Sequence, residues 1–138
     1  MTVAVSACLL GINCKYNGGN NFNLKLREYL KDKDVIEFCP EVEGGLTIPR
    51  VPVELKDGRA VNSDGVDVDS EFNRGVSHVL SRLEGKDVDL VILQSRSPSC
   101  GLAHIYDGTF TGKLIEGNGK LASRLLEKGY HVLDIADL

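Results

Sequence analysis

Short apolar runs and amphipathic stretches alternate along the chain. Residues 3–7, 35–38, 88–93 and 132–135 are rich in Val, Ile and Leu. Runs of this length and composition predict strands buried on both faces, as in a parallel sheet. Between them the apolar period becomes that of a helix. Phe22, Leu26, Tyr29 and Leu30 form one stripe, with Asn21 or Asn23 placed to cap it. Phe72, Val76, Val79, Leu80 and Leu83 form a second, with Asp69 as its cap and Gly85 as its stop. Leu121, Leu125 and Leu126 form a third, between an Asn118 cap and Gly129.

One segment departs from this alternation. Pro49 and Pro52 argue against a helix there, and Lys56-Asp57-Gly58 between residues 51–55 and 59–62 predicts a hairpin. The order β-α-β, hairpin, α-β, loop, α-β therefore predicts a three-layer α/β fold. Its sheet is mainly parallel, Rossmann-like or flavodoxin-like, with a small antiparallel hairpin excursion at the edge. The 138 residues suit one domain spanning 1–138.

Composition narrows the function classes. A net charge of -4 supplies no positive field to attract a long nucleic acid or an anionic membrane, though a single small heterocycle remains a fitting partner. No run approaches the length of a membrane span, and Met1-Thr2-Val3 carries no basic leader, so a cytoplasmic protein is expected. Thiols stay reduced in that compartment. Four cysteines then point to a metal or to catalysis more than to disulfides.

The cysteines are not scattered. Cys8 follows the first apolar run, Cys39 the second, and Ser97-Pro98-Ser99-Cys100-Gly101 the third. In open α/β sheets ligands bind outside the carboxyl ends of the strands, so these three thiols are predicted to converge on one rim. A lone cysteine is most often a small buried apolar filler; three at three strand ends form a different pattern. Their separations of 31 and 61 residues lack the close pairs of zinc fingers. They suit a four-iron cluster reached by three distant loops, with three thiolates leaving one iron open. Cys14 lies in an irregular loop six residues past Cys8 and reads as a bystander, with a fourth ligand or a resolving thiol as its other roles.

Other side chains add to the chemistry. Glu41 and Glu43 stand two residues apart beside Cys39, so that in an extended loop both carboxylates face one way; either suits a general base, and a solvated loop glutamate is the plain alternative. Ser97 and Ser99 either donate hydrogen bonds to a substrate or cluster sulfur, or cap the turn around Pro98. Tyr106 and Phe110, in a loop with the character of a lid, can stack on a flat heterocycle or simply pack down. His104 is the one histidine near a candidate thiol. The glycines between residues 108 and 119 have no phosphate-loop spacing.

Taken together, Val5-Ser6-Ala7-Cys8-Leu9-Leu10-Gly11, Cys39-Pro40-Glu41 with Gly44-Gly45 and Pro49-Arg50, Ser97-Pro98-Ser99-Cys100-Gly101, and Tyr106-Asp107-Gly108-Thr109-Phe110-Thr111-Gly112 resemble the motif set of the thiouracil desulfurases, also known as domain of unknown function 523. The resemblance implies an α/β domain binding a [4Fe-4S] cluster through Cys8, Cys39 and Cys100, with one open iron site. It implies Glu41 as the acidic catalytic residue, and Ser97 and Ser99 as active-site serines. The implied reaction is non-redox removal of sulfur from a thiolated nucleobase such as 2- or 4-thiouracil, releasing sulfide. Two other readings fit the cysteines: a mononuclear zinc hydrolase with three Cys ligands, and an iron–sulfur carrier or redox sensor without catalytic activity.

Overall fold

The structure, a computed structural model, describes residues 1–138. Strand β1 (Thr2–Ser6) runs into a single 3-10 turn (Ala7–Leu10), and an irregular loop leads to α1 (Leu24–Leu30) and β2 (Asp34–Phe38). A one-turn helix, α2 (Pro40–Glu43), precedes the hairpin of β3 (Val53–Lys56) and β4 (Arg59–Asn62). Then come α3 (Asp69–Leu83), β5 (Leu90–Leu93), a second hairpin of β6 (His104–Tyr106) and β7 (Leu114–Glu116), α4 (Lys120–Glu127), β8 (Val132–Asp134) and a closing 3-10 turn (Ile135–Asp137).

The main sheet has the order β2-β1-β5-β8, with every neighbour parallel. Its side chains alternate between two cores. Ala4, Val91 and Leu93 pack with Val76, Val79 and Leu83 of α3 and with Leu121 and Leu125 of α4. Val3, Val5 and Ile92 point the other way, onto Leu9 and onto Leu26 and Leu30 of α1. Both faces of the central strands are thus covered, which is why they read as continuous apolar runs. Each such Val, Ile or Leu contributes about 1.5–3 kcal/mol by leaving water.

The architecture is the expected three-layer α/β fold with a parallel sheet, and the Asp57-Gly58 hairpin forms with both residues at positive φ, as its two-residue turn requires. The β6–β7 hairpin was not predicted. It turns the 107–113 segment from a free lid into the tip of a hydrogen-bonded ribbon. Three caps also differ from expectation or resolve it. Asn23 accepts the Leu26 amide at 2.9 Å and caps α1, but Phe22 falls outside the helix and is 46% exposed. Asp69 is the first residue inside α3, its carboxylate committed to the Ala60 amide and Lys120 instead of to a cap. Asn118 accepts the Ala103 amide at 2.7 Å, leaving Gly119 at the N-cap of α4. No helix is long and apolar enough to cross a membrane.

Strand order explains where a site belongs. From β1 the chain moves to β2 on one side, and then crosses over β1 to pair β5 on the other. The crevice at the carboxyl end of β1 is the switch point at which open parallel sheets bind their ligands.

Candidate functional site

At that switch point lies a cavity of about 820 Å³, and all four cysteines line it. Cys8 enters from the 3-10 turn after β1, Cys39 from the residue after β2, and Cys100 from the turn that follows β5. All four are free thiols. Asn21 reaches the Cys8 sulfur with its Nδ2 at 3.5 Å, and the Ser99 hydroxyl lies 3.8 Å from that of Cys100. Cys14 does not stay apart in a loose loop. Its thiol is buried and lines the same cavity, and the Cys39 sulfur lies 4.0 Å from its carbonyl oxygen.

These contacts set the protonation order. The hydrogen bond from Cys14 outweighs burial and lowers Cys8 to about 7, and the same donor lowers Cys39. Cys14 itself is pushed up, because its proton is held by Cys39 first and Cys8 second. Burial raises Cys100, the largest influence on it. Cys8 and Cys39 are therefore the readiest thiolates, the form that binds metals. A buried Cys100 thiolate needs a positive partner in the cavity.

The two glutamates part company. Pro40 at the first position of α2 winds residues 40–43 into a helical turn, not an extended loop, so Glu41 and Glu43 diverge. Glu43 folds back to its own N-terminus, accepting the Cys39 amide at 3.0 Å and bonding His78 and Arg82 at 2.7 Å each. Glu41 lines the cavity. Its Oε1 accepts from Nε and Nη2 of Arg50, both at 3.3 Å, and its Oε2 accepts from the Ser99 hydroxyl at 2.9 Å.

The serines form a directed relay. Ser97 Oγ accepts the amides of Ser99 at 3.1 Å and Cys100 at 3.0 Å, and lies 2.9 Å from Ser99 Oγ. Because Ser99 gives its proton to Glu41, it can only accept from Ser97. Protons along this line point from Ser97 to Ser99 to Glu41. Ser97 thus caps the turn, one of the two roles open to it in sequence, and also supports Ser99.

Close backbone packing fixes these groups. A Cβ on Gly75, in the middle of α3, would lie 1.7 Å from the Pro40 carbonyl oxygen, and one on Gly44 would lie 2.0 Å from that of Glu71. Helix α2 therefore rests directly on α3, backbone against backbone. Likewise a Cβ on Gly119 would sit 2.6 Å from the Ser99 carbonyl, so the start of α4 backs the serine turn.

Tyr106 and Phe110 line the cavity wall, while His104 is exposed and does not. Arg50 and Asn21 carry roles that the sequence reading did not assign. Arg50 had a visible signal, an arginine directly after Pro49 near two glutamates; Asn21 had none beyond its place after the glycines of the Cys14 loop.

The donor set fits an iron–sulfur cluster better than a single ion. Its members are thiols alone, the ligands such clusters take.

Known proteins bear on this cavity. The model of the 2-thiouracil desulfurase family matches residues 3–137. The uncharacterized protein YbbK of Bacillus subtilis (strain 168) is 36% identical over 146 residues, covering 99% of this chain and 97% of that protein. Among solved structures, the [4Fe-4S]-dependent thiouracil desulfidase TudS superposes with a TM-score of 0.92 at 35% identity, over 99% of this chain and 92% of that one.

Proposed function

The chain belongs to the 2-thiouracil desulfurase family, and from that premise we propose that it replaces the thiocarbonyl sulfur of a thiolated pyrimidine with oxygen from water. The products are the oxygenated base and hydrogen sulfide. The balance needs no electron donor or acceptor: water supplies one oxygen and two protons, and sulfur leaves with both.

Cys8, Cys39 and Cys100 are the residues assigned to hold the cluster. A [4Fe-4S] cluster bound by three thiolates supplies an iron without a protein ligand, a Lewis acid for the thiocarbonyl sulfur. The chain's own groups do the rest. Glu41 Oε2 takes a proton from the attacking water, and Arg50 on Oε1 keeps that oxygen turned to the cavity. Ser99, between Glu41 and Cys100, carries the proton toward the departing sulfur. That proton comes to Ser99 from Glu41, and Ser97 holds the Ser99 hydroxyl in place from behind. Tyr106 and Phe110 give a flat ring apolar wall to lie against.

One observation carries this reading over a cluster carrier or redox sensor, which needs no base. The Ser99 hydroxyl bonds the Glu41 carboxylate at 2.9 Å and lies 3.8 Å from the Cys100 sulfur, so that one hydroxyl touches both the carboxylate and the thiol. The test is anaerobic purification, iron and sulfide analysis, and assay of sulfide release from 2- and 4-thiouracil. The wild type is expected to be brown and active, and Glu41→Gln brown and inactive. A colourless zinc protein, or full activity in Glu41→Gln, overturns the assignment.

A further inference from the structure

Strand β3 stands between two surroundings. Val53 and Leu55 are buried with Ile105 in the small core beneath the hairpins, so Glu54 between them points the other way, and it lines the cavity. Its Oε1 accepts two amides from a distant segment, those of Gly108 and Phe110, both at 3.0 Å. That segment, residues 108–112, is the tip of the β6–β7 ribbon. The last ladder bond runs from the Asp107 amide to the Lys113 carbonyl, and the side-chain bonds of Asp107 with Thr109 and of Thr109 with Thr111 stay inside the tip. Glu54 therefore makes the only hydrogen bonds that join the tip to another part of the protein.

Two further features show how closely the tip is held. Gly108, at φ +93°, lies against β3, where a Cβ would come 2.9 Å from the Leu55 carbonyl oxygen. Phe110 has φ +58°, a left-handed backbone that a bulky residue rarely adopts, and it belongs to the cavity wall. Such a backbone persists only where its surroundings fix it. Here the fixing group is the carboxylate that accepts the Phe110 amide.

We propose that Glu54 is a positioning residue for substrate binding: its carboxylate clamps the hairpin tip so that Phe110 stands against the flat ring of the bound heterocycle. The inference rests on the functional reading above, in which Phe110 forms part of that wall. Without the clamp the tip is closed for only a fraction of the time, and apparent affinity falls by that fraction, while the closed complex reacts as before. The signature is a raised KM with a much smaller change in kcat.

The test uses the cluster-loaded full chain with 2- and 4-thiouracil, together with hydrogen–deuterium exchange over residues 107–113. Glu54→Ala should raise KM about tenfold, the order expected for lost hydrogen bonds to a charged group, and should speed exchange of the tip amides at unchanged iron content. Glu54→Gln keeps a carbonyl oxygen for both amides and should recover most of the loss. Phe110→Ala should also raise KM, and adding Glu54→Ala to it should bring little more, because the clamp acts through the ring it places. Should Glu54→Ala fail to fold, Gly108→Ala pushes the tip off β3 and takes its place in the same cycle. A wild-type KM in Glu54→Ala overturns the proposal, as do effects that multiply in the double variant, or a Glu54→Gln KM as high as that of Glu54→Ala. Unchanged tip exchange in Glu54→Ala overturns it without reference to turnover. A wild type that releases no sulfide from either base defeats the functional reading and the proposal with it, whereas an active wild type with any of those results defeats the proposal alone.

Discussion

Arg50 and Glu41 form a buried ion pair in which Nε and Nη2 both reach Oε1 at 3.3 Å, with side chains 8% and 14% exposed. The same guanidinium bonds the Cys14 and Thr47 carbonyls at 2.9 and 3.1 Å. One arginine thus ties the Glu41 carboxylate to the thiol loop. Arg50→Met should leave Glu41 free to swing, lowering kcat by about 10–100-fold, the range for partners that orient metal-site groups. Arg50→Lys should recover only part, because an ammonium cannot make the planar fork. Steady-state kinetics at matched iron content check this; a wild-type kcat in Arg50→Met removes Arg50 from the mechanism.

Ser97 and Ser99 differ in what their loss should do. Ser99→Ala breaks the link to Glu41 but orphans no backbone amide, so the fold should hold while kcat falls about 100-fold or more, as for a lost proton-transfer group. Ser97→Ala leaves the Ser99 and Cys100 amides without an acceptor, costing about 1–3 kcal/mol per buried group. Denaturant unfolding alongside activity separates the two: a stability loss in Ser99→Ala equal to that in Ser97→Ala contradicts the division.

Much of this was readable from the chain. The apolar runs predicted the four parallel strands because both faces of that sheet are covered, and the cysteines placed after them converge as strand ends must. Local signals ran out where tertiary partners decide. Asp69 and Asn118 look like caps, yet Lys120 with the Ala60 amide claims one and the Ala103 amide the other. Glu41 and Glu43 looked alike until Pro40 wound them into a turn. That Cys14 faces inward was not legible, because nothing in an exposed loop shows which side chain is buried. His104 stood close to Cys100 in sequence and still misses the cavity.

Gly75 is the residue whose importance a propensity scale reverses. A glycine within a helix costs about 1 kcal/mol relative to alanine, so Gly75→Ala alone should stabilise α3. The added methyl instead lands 1.7 Å from the Pro40 carbonyl oxygen and must push α2 away, an overpacking cost of about 1–3 kcal/mol. Moving α2 also moves Glu41. Gly75→Ala should therefore lower both Tm and kcat, whereas an exposed control such as Gly65→Ala should leave kcat unchanged; an unaltered kcat in Gly75→Ala means that the α2–α3 contact does not position Glu41 for the proposed reaction.

Asp69 predicts how stability depends on pH. Burial opposes its ionisation, but Lys120 at 2.7 Å, the Ala60 amide at 2.9 Å and Arg59 outweigh that and hold the carboxyl below the ordinary range. A carboxyl lowered on folding stabilises the protein fully above its unfolded value of about 4, and the contribution disappears as pH falls from there through the lower folded value. Asp69→Asn keeps the shape but loses the charge, so it should cost about 2 kcal/mol near neutral pH. That cost should shrink as pH falls from about 4 through the lower folded value, where the native carboxyl is also protonated. Urea unfolding of both proteins across this window gives the answer: a gap that stays constant with pH would place the stabilisation in packing instead of in the Asp69 charge.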